Sequence, residues 1–303
     1  MIFQRKNSLL IAVLMLVQIV LPCNALSSGL LIVYPKVKAP YSKIYRDIIK
    51  GIDKNYTGIT KQLEILPDNS THTLTEKIEQ DRPDVLVTLG RHSLKKVRQL
   101  KLPIPIVAGA ITKTEGIIPG VSMTPDSEII LSHLFTIAPF VRRVYVVTDG
   151  SRQAQLARAE AYLADRNKIL QAEEVLSVQQ AADKYLKIVS KASFSDAIWL
   201  MRGASLNDPS ILMLILEAAW KKRIVVFSSN PSHVKRGALF SVYPDNEKMG
   251  GALAEMAQQE FPSEHNTGLV PLIFLHLIVN KRTSKHFGIN PNNISGLNVH
   301  KLL

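Results

Sequence analysis

From residue 30 onward the chain alternates between short apolar runs and stretches with a helical period. The runs fall at residues 30–34, 63–66, 85–89, 104–108, 144–147, 197–201, 224–227 and 239–242. Such short, Val- and Ile-rich runs fit strands buried on both faces of a parallel sheet. Helix start signals lie between them. Thr124-Pro125-Asp126 places a capping hydroxyl before a proline at the first helical position, with a carboxylate in the first turn. Asp208-Pro209 repeats the device, and that helix runs out in Lys221, Lys222 and Arg223, cations suited to the C-terminal end of a helix dipole. Asp245 opens a third, in which Met249, Leu253 and Met256 share one face. Strands alternating with helices predict βαβ units and the α/β class.

The order of elements predicts two doubly wound parallel-sheet domains. One set of βαβ units spans residues 30–118 and a second runs from the Thr124 helix to about Ser241. Residues 118–123 read as a crossing strand and not a core strand, because Pro119 and Gly120 interrupt it. No Gly/Ser-rich or Pro-rich linker intervenes, so several close crossings are expected. The expected lobes are 29–121 plus 243–270 and 122–242 plus 271–303, with a ligand cleft between them.

The N-terminus changes the compartment. Arg5 and Lys6 precede an apolar run at 9–21 that is broken only by Gln18 and is shorter than the ~20 residues a membrane span needs. With Cys23 and Ala25 at −3 and −1, residues 1–25 read as a secretory signal peptide cleaved after Ala25, delivering a periplasmic protein. A membrane anchor that stays in place and a lipid anchor through Cys23 are the competing readings, and Pro22 stands against the second. Lys plus Arg (37) exceed Asp plus Glu (25), a formal charge of +12, but export removes nucleic acid as the partner of that basic surface. The single cysteine excludes a disulfide framework and a cysteine-based zinc site.

Catalytic signatures are absent from the sequence: no G-x-G-x-x-G, no Walker-type loop, no G-x-S-x-G elbow and no H-E-x-x-H. The eight histidines show no ligand-like spacing, so neither a metal, a cofactor nor an enzyme is expected.

Several phrases carry a resemblance in order and spacing: LPIPIV (102–107), PGVS (119–122), APFVRRVYVV (138–147), SDAIWL (195–200), RGALFSV (236–242), 245–250, IVNK (278–281) and FGINP (287–291). The chain resembles the ABC-transporter substrate-binding proteins with a type I periplasmic-binding-protein fold, in particular the tryptophan- and tyrosine-binding group. The resemblance implies a monomer that captures a small ligand by interdomain closure and delivers it to an ABC permease. It departs where Arg91 and His92 follow Gly90, where Arg202 opens the loop after 197–201, and at Asn266-Thr267-Gly268. A periplasmic sensing module for a membrane receptor and an exported α/β enzyme are the alternatives.

In open parallel sheets, ligands sit beyond the carboxyl ends of the strands. The loops there supply the candidates Tyr41, Ser42, Thr88, Gly90, Arg91, Gly109, Thr148, Asp149, Ser151, Arg202, Ser228, Asn230 and Asp245. Hydroxyls and helix N-termini suit a carboxylate, as does an arginine fork. Asp149 or Asp245 suits an ammonium, and Tyr41 or Tyr243 an apolar part, so the parts fit an amino acid or a similar zwitterion or anion. Ser151, Asp149 and Asp245 serve equally well as helix caps. Gly250-Gly251 reads as close helix packing and lies outside the site.

Overall fold

A computed structural model describes residues 29–66, 71–113, 117–201, 209–259, 268–292, 294 and 296–303. The expected signal peptide, Cys23 and Arg202 lie outside these residues. Among the described residues, no helix is long and apolar enough to cross a membrane.

The chain begins with β1 (Gly29–Pro35), α1 (Tyr41–Asn55), β2 (Ile59–Ile65), α2 (Thr71–Asp81), β3 (Val85–Leu89), α3 (Arg91–Gln99), β4 (Ile106–Ile111) and β5 (Gly120–Pro125). It continues with α4 (Ser127–Ile137), β6 (Arg143–Thr148), α5 (Gln153–Ala164), β7 (Ile169–Glu174), α6 (Val178–Lys191), β8 (Asp196–Leu200), α7 (Pro209–Lys222), β9 (Val225–Ser228), α8 (Pro231–Lys235) and β10 (Phe240–Pro244). The last elements are α9 (Asn246–Gln258), β11 (Leu269–Leu272), β12 (Leu275–Val279), α10 (Lys281–His286) and β13 (Val299–Leu302).

The strands form two sheets, ordered β11-β5-β4-β3-β1-β2 and β13-β12-β10-β9-β8-β6-β7. The first is parallel throughout. In the second, β12 runs antiparallel to β10 and carries β13 with it. Alternation along each strand divides its side chains between two helical layers. In the first sheet Leu30 and Ile32 pack under α1 and α9, while Leu31 and Val33 pack with Leu74 and Ile78 of α2 and Val97 of α3. In the second, Val144, Val146 and Trp199 face α4 and α5, and Tyr145, Val147 and Ile198 face α6 and α7. Both sheets are therefore covered on both faces, as parallel sheets require.

Strand pairing moves the expected changeovers. The first sheet keeps β5 as far as Pro125 and β11 as far as Leu272, and the second keeps β10 as far as Pro244. Residues 120–125 form an interior strand between β4 and β11, not merely a crossing. Gly120 makes this pairing feasible: a Cβ there would lie 1.9 Å from the carbonyl oxygen of Ala108. The sequence reads the glycine as a break where it is a close backbone approach. The α4 cap also shifts. Asp126, not Thr124, accepts from the Glu128 and Ile129 amides.

The chain passes between sheets at β5–α4, β10–α9 and β11–β12. These crossings are bonded to one another, Asp126 N–H to the Leu272 carbonyl (2.9 Å) and Asp245 N–H to the Phe274 carbonyl (3.0 Å). Two crossings thus enter helices capped by an aspartate, Asp126 for α4 and Asp245 for α9.

Candidate functional site

A cavity of about 410 Å³ opens beside the crossings. The first sheet contributes Thr112 and Lys113 after β4, Ser122 and Thr124 on β5, and Leu269 and Pro271 on β11. The second lobe contributes Ser127, Ser151, Arg152, Ala154, Gln155 and Arg158. The β4 and β6 loops both leave the carboxyl ends of their strands, where ligands collect in open parallel sheets.

The walls are held by polar contacts. Arg152 Nη1 donates to Thr124 Oγ1 (3.3 Å), across the lobes. Ser127 Oγ donates to the Gln155 carbonyl (2.7 Å), and Gln155 Nε2 donates to the Pro125 carbonyl (3.1 Å). Arg158 Nη2 reaches Asp126 Oδ2 at 2.7 Å. Ser122 Oγ donates to the Thr112 carbonyl (3.2 Å), which ties the β4 loop to β5. The first turn of α5 is therefore fixed against the crossing, with no side-chain cap bond from Arg152 at its N-terminus. Hydroxyls, a helix N-terminus and cations converge here, a combination suited to an anionic group.

Of the thirteen sequence candidates, the structure brings Ser151 to this cavity. Asp149 stands beside it, exposed and turned back on its own loop. Its Oδ1 accepts from the Ser151 amide (3.1 Å) and hydroxyl (2.5 Å), and the hydroxyl bond holds the Asp149 carboxyl below the usual range. Arg91 and Tyr41 are exposed at the first positions of α3 and α1, and Ser42 follows Tyr41. Six candidates are buried, Ser228 and Asp245 among them, and the other four sit at strand ends of the two sheets. Thr88 is fully buried and its hydroxyl faces the Val107 carbonyl (3.4 Å). Gly90 and Gly109 are buried, and a Cβ at either would run into the Tyr45 hydroxyl or the Leu253 side chain. Thr148 is buried at the end of β6 and its carbonyl accepts from Val175. These residues satisfy the rule of strand ends but sit one step below the surface.

Ser228 and Asn230 belong to a closed network. Ser228 Oγ donates to the Leu200 carbonyl (3.1 Å), accepts from the Asn230 amide (3.0 Å) and lies 2.8 Å from His233 Nδ1. Asn230 Nδ2 faces His233 Nε2 (3.3 Å), and Asn230 Oδ1 caps α8 through the Ser232 amide. The amide donor at Nε2 selects the neutral tautomer with its proton on Nδ1. Burial, with Arg236 nearby, lowers the His233 pKa, and burial alone lowers that of His133. Both imidazoles are thus held neutral in the fold and protonate more readily when unfolded. The folded pKa is depressed, so stability is full above the unfolded value of about 6.5 and falls as pH drops below it. Urea unfolding from pH 7.5 to 5 should show this loss, with His233→Gln flattening the profile; an unchanged slope would refute the assignment.

Asp245 lies in a second groove, of about 1000 Å³, between α1, α9 and the β10–β12–β13 edge. It caps α9 through the Lys248 amide and lies 3.5 Å from Lys248 Nζ and 3.6 Å from His276 Nε2. Lys50 and Glu247 pair across the same groove at 2.7 Å. Tyr243 turns its ring to His276 and His300, not to the cavity. Sequence reasoning missed Lys113, Ser122, Thr124, Arg152 and Arg158. Ser122 was hidden by reading residues 118–123 as a crossing, and Thr124 by reading it as the cap that Asp126 supplies. Arg152, next to Ser151, carried a signal as the residue before a helical period. Among the described residues, no group of His, Cys, Asp and Glu is placed to hold a metal ion.

Two covered, mainly parallel sheets joined by several crossings, with a polar cavity between them, define the type I periplasmic-binding-protein architecture. The chain belongs to the ABC transporter substrate-binding protein family, whose model matches residues 42–296. Solved structures agree on the fold. A ligand-free, open substrate-binding protein with adhesive properties from Clostridium difficile is similar at TM-score 0.64 and 17% identity, covering 90% of this chain and 98% of its own. An ABC domain from Streptococcus pneumonia, in complex with L-Trp, gives TM-score 0.54 at 17% identity, covering 91% and 100%. A conserved domain protein from Vibrio cholerae gives 0.53 at 16%, covering 91% and 100%. Among curated proteins, no sequence matches the chain.

Proposed function

We propose that the protein captures a small polar ligand, an amino acid or a similar zwitterion or anion, in the cavity beside the crossings and delivers it to an ABC permease. The carrying observation is that this cavity takes walls from both lobes, Thr112, Lys113 and Ser122 from one and Ser127, Ser151 and Arg152 from the other. A ligand held by both walls favours the arrangement that brings them together, which couples occupancy to lobe position. The family supports export and transport, and the basic N-terminal run ahead of an apolar segment supports periplasmic delivery. The L-Trp complex of the streptococcal relative supports an amino-acid-sized occupant.

Thermal unfolding against amino acids, organic anions, sugars and nucleosides tests this. A ligand at 100 times its dissociation constant adds about 2.7 kcal/mol, a shift of several degrees. One chemical class should raise the midpoint. A midpoint unmoved by amino acids and organic anions but raised by a sugar or nucleoside would overturn the proposal.

A further inference from the structure

We infer that the cavity's ligand is a small organic anion without an ammonium group, clamped between Lys113 of the first lobe and Arg152 of the second. This rests on the reading of the cavity as the ligand site. Among the described residues that line it, three are cations, Lys113, Arg152 and Arg158, and none is a carboxylate or an aromatic ring. Three acids stand beside the cavity, and Glu128 lies 3.5 Å from Arg158. Asp126 accepts from two backbone amides and from Arg158, and Asp149 accepts from Ser151 while its charge faces Arg152. Among the described lining residues, an ammonium group would meet like charge and hydroxyls and no carboxylate to compensate its lost water. An aromatic side chain would meet Pro125, Pro271 and Leu269 and no ring on which to stack. A hydroxy acid or short dicarboxylate has the opposite fit, with anionic groups for the two cations and hydroxyls for Thr112, Thr124 and Ser151.

The placement of the cations also supplies the gate. Lys113 and Arg152 belong to opposite lobes, so closing the empty cleft brings like charges together. A bridging anion reverses the sign of that interaction. The ligand then binds the closed arrangement better than the open one, which is the condition for it to drive closure.

Isothermal titration of the full chain with matched pairs tests the inference, using malate against aspartate and lactate against alanine, with L-tryptophan alongside. Each pair exchanges a hydroxyl for an ammonium group at nearly constant shape. The expected result is binding of a hydroxy acid at least about tenfold tighter than its amino partner, on the scale of charged hydrogen bonds, and weaker as salt is raised. Lys113→Met and Arg152→Met should each weaken that binding by about tenfold, with thermal midpoints near that of the unsubstituted chain. An amino acid binding as tightly as its hydroxy partner, or L-tryptophan binding more tightly than any anion, would overturn the anion assignment and leave the cavity reading intact. Heat from neither member of either pair would overturn the anion assignment alone, and binding insensitive to both substitutions would overturn the cavity reading with it.

Discussion

Gly250→Val is expected to remove more than about 3 kcal/mol of stability, the upper end of overpacking costs. Helices α1 and α9 approach through Gly51 and Gly250. A Cβ on Gly250 would stand 2.0 Å from the Ile48 carbonyl oxygen, and one on Gly51 would stand 1.9 Å from that of Glu247. The obstructing atoms are backbone, so no rotamer relieves the clash. The helices must separate, withdrawing Ile48 and Ile52 from Met249 and Leu253 in the first-lobe core. Gly251 makes the control. A Cβ there meets the Asn55 side chain, whose Nδ2 at 3.1 Å has to give by only a few tenths of an ångström while it keeps its bond to the Gly51 carbonyl. Replacing a mid-helix glycine by alanine gains up to about 1 kcal/mol of helix propensity, so Gly251→Ala should be near neutral. Urea midpoints of the two variants decide the matter. Equal midpoints would mean that the helices are not locked at the glycine pair.

Trp199→Ala is expected to cost about 3–5 kcal/mol, the range for truncating a large buried aromatic. Trp199 is fully buried at the centre of the second sheet. It stands in register with Phe227 across β8 and β9, and Phe227 with Phe240 across β9 and β10. The rings stack at 5.8 and 5.2 Å, a ladder across three strands under α4 and α5. Truncation leaves a void that the flanking strands cannot collapse to fill, because the ladder hydrogen bonds hold them apart. Trp199→Phe keeps a stacked ring and should recover most of the loss. A Trp199→Ala protein within about 1 kcal/mol of the unsubstituted chain would contradict this account of the second core.

The two lobes differ from the candidate site in how far the sequence disclosed them. The strands buried on both faces, β1, β3, β4, β6, β8 and β9, appear as apolar runs because neither side of a covered parallel sheet touches water. β7 does not: its sequence, ILQAEE, lies at a sheet edge with four of its six side chains exposed, so no apolar run marks it. β5 was disguised by Pro119 and Gly120, and the short β11 and β13 have too few buried positions to form a pattern. Gly250 was legible as a packing glycine, since a glycine pair within a helical period has few other uses.

The site was legible in outline only. The rule that ligands gather at strand ends led to the loop after β6, whose Ser151 lines the cavity. The rule does not say which residue of a loop faces out. Thr88 and Ser228 end their strands and bury their hydroxyls on neighbouring carbonyls. Arg152 and Arg158 lie farther along the chain, and the packing of α5 against the crossing brings Arg152 to Thr124 and Arg158 to Asp126. That docking depends on Ser127, Gln155 and Asp126, contacts between distant segments that no local pattern encodes.

The most direct test of capture between the lobes is to fill the cavity and ask whether ligand binding disappears. Ala154 lines it from the exposed first turn of α5, where a larger side chain displaces water and not core. Unsubstituted protein and Ala154→Trp would be melted in parallel across the panel of organic anions and amino acids. The account predicts similar midpoints without ligand, a rise of several degrees for the unsubstituted protein with its preferred ligand, and none for Ala154→Trp. A full ligand-induced rise in Ala154→Trp would contradict it, because the ligand would then be bound outside this cavity.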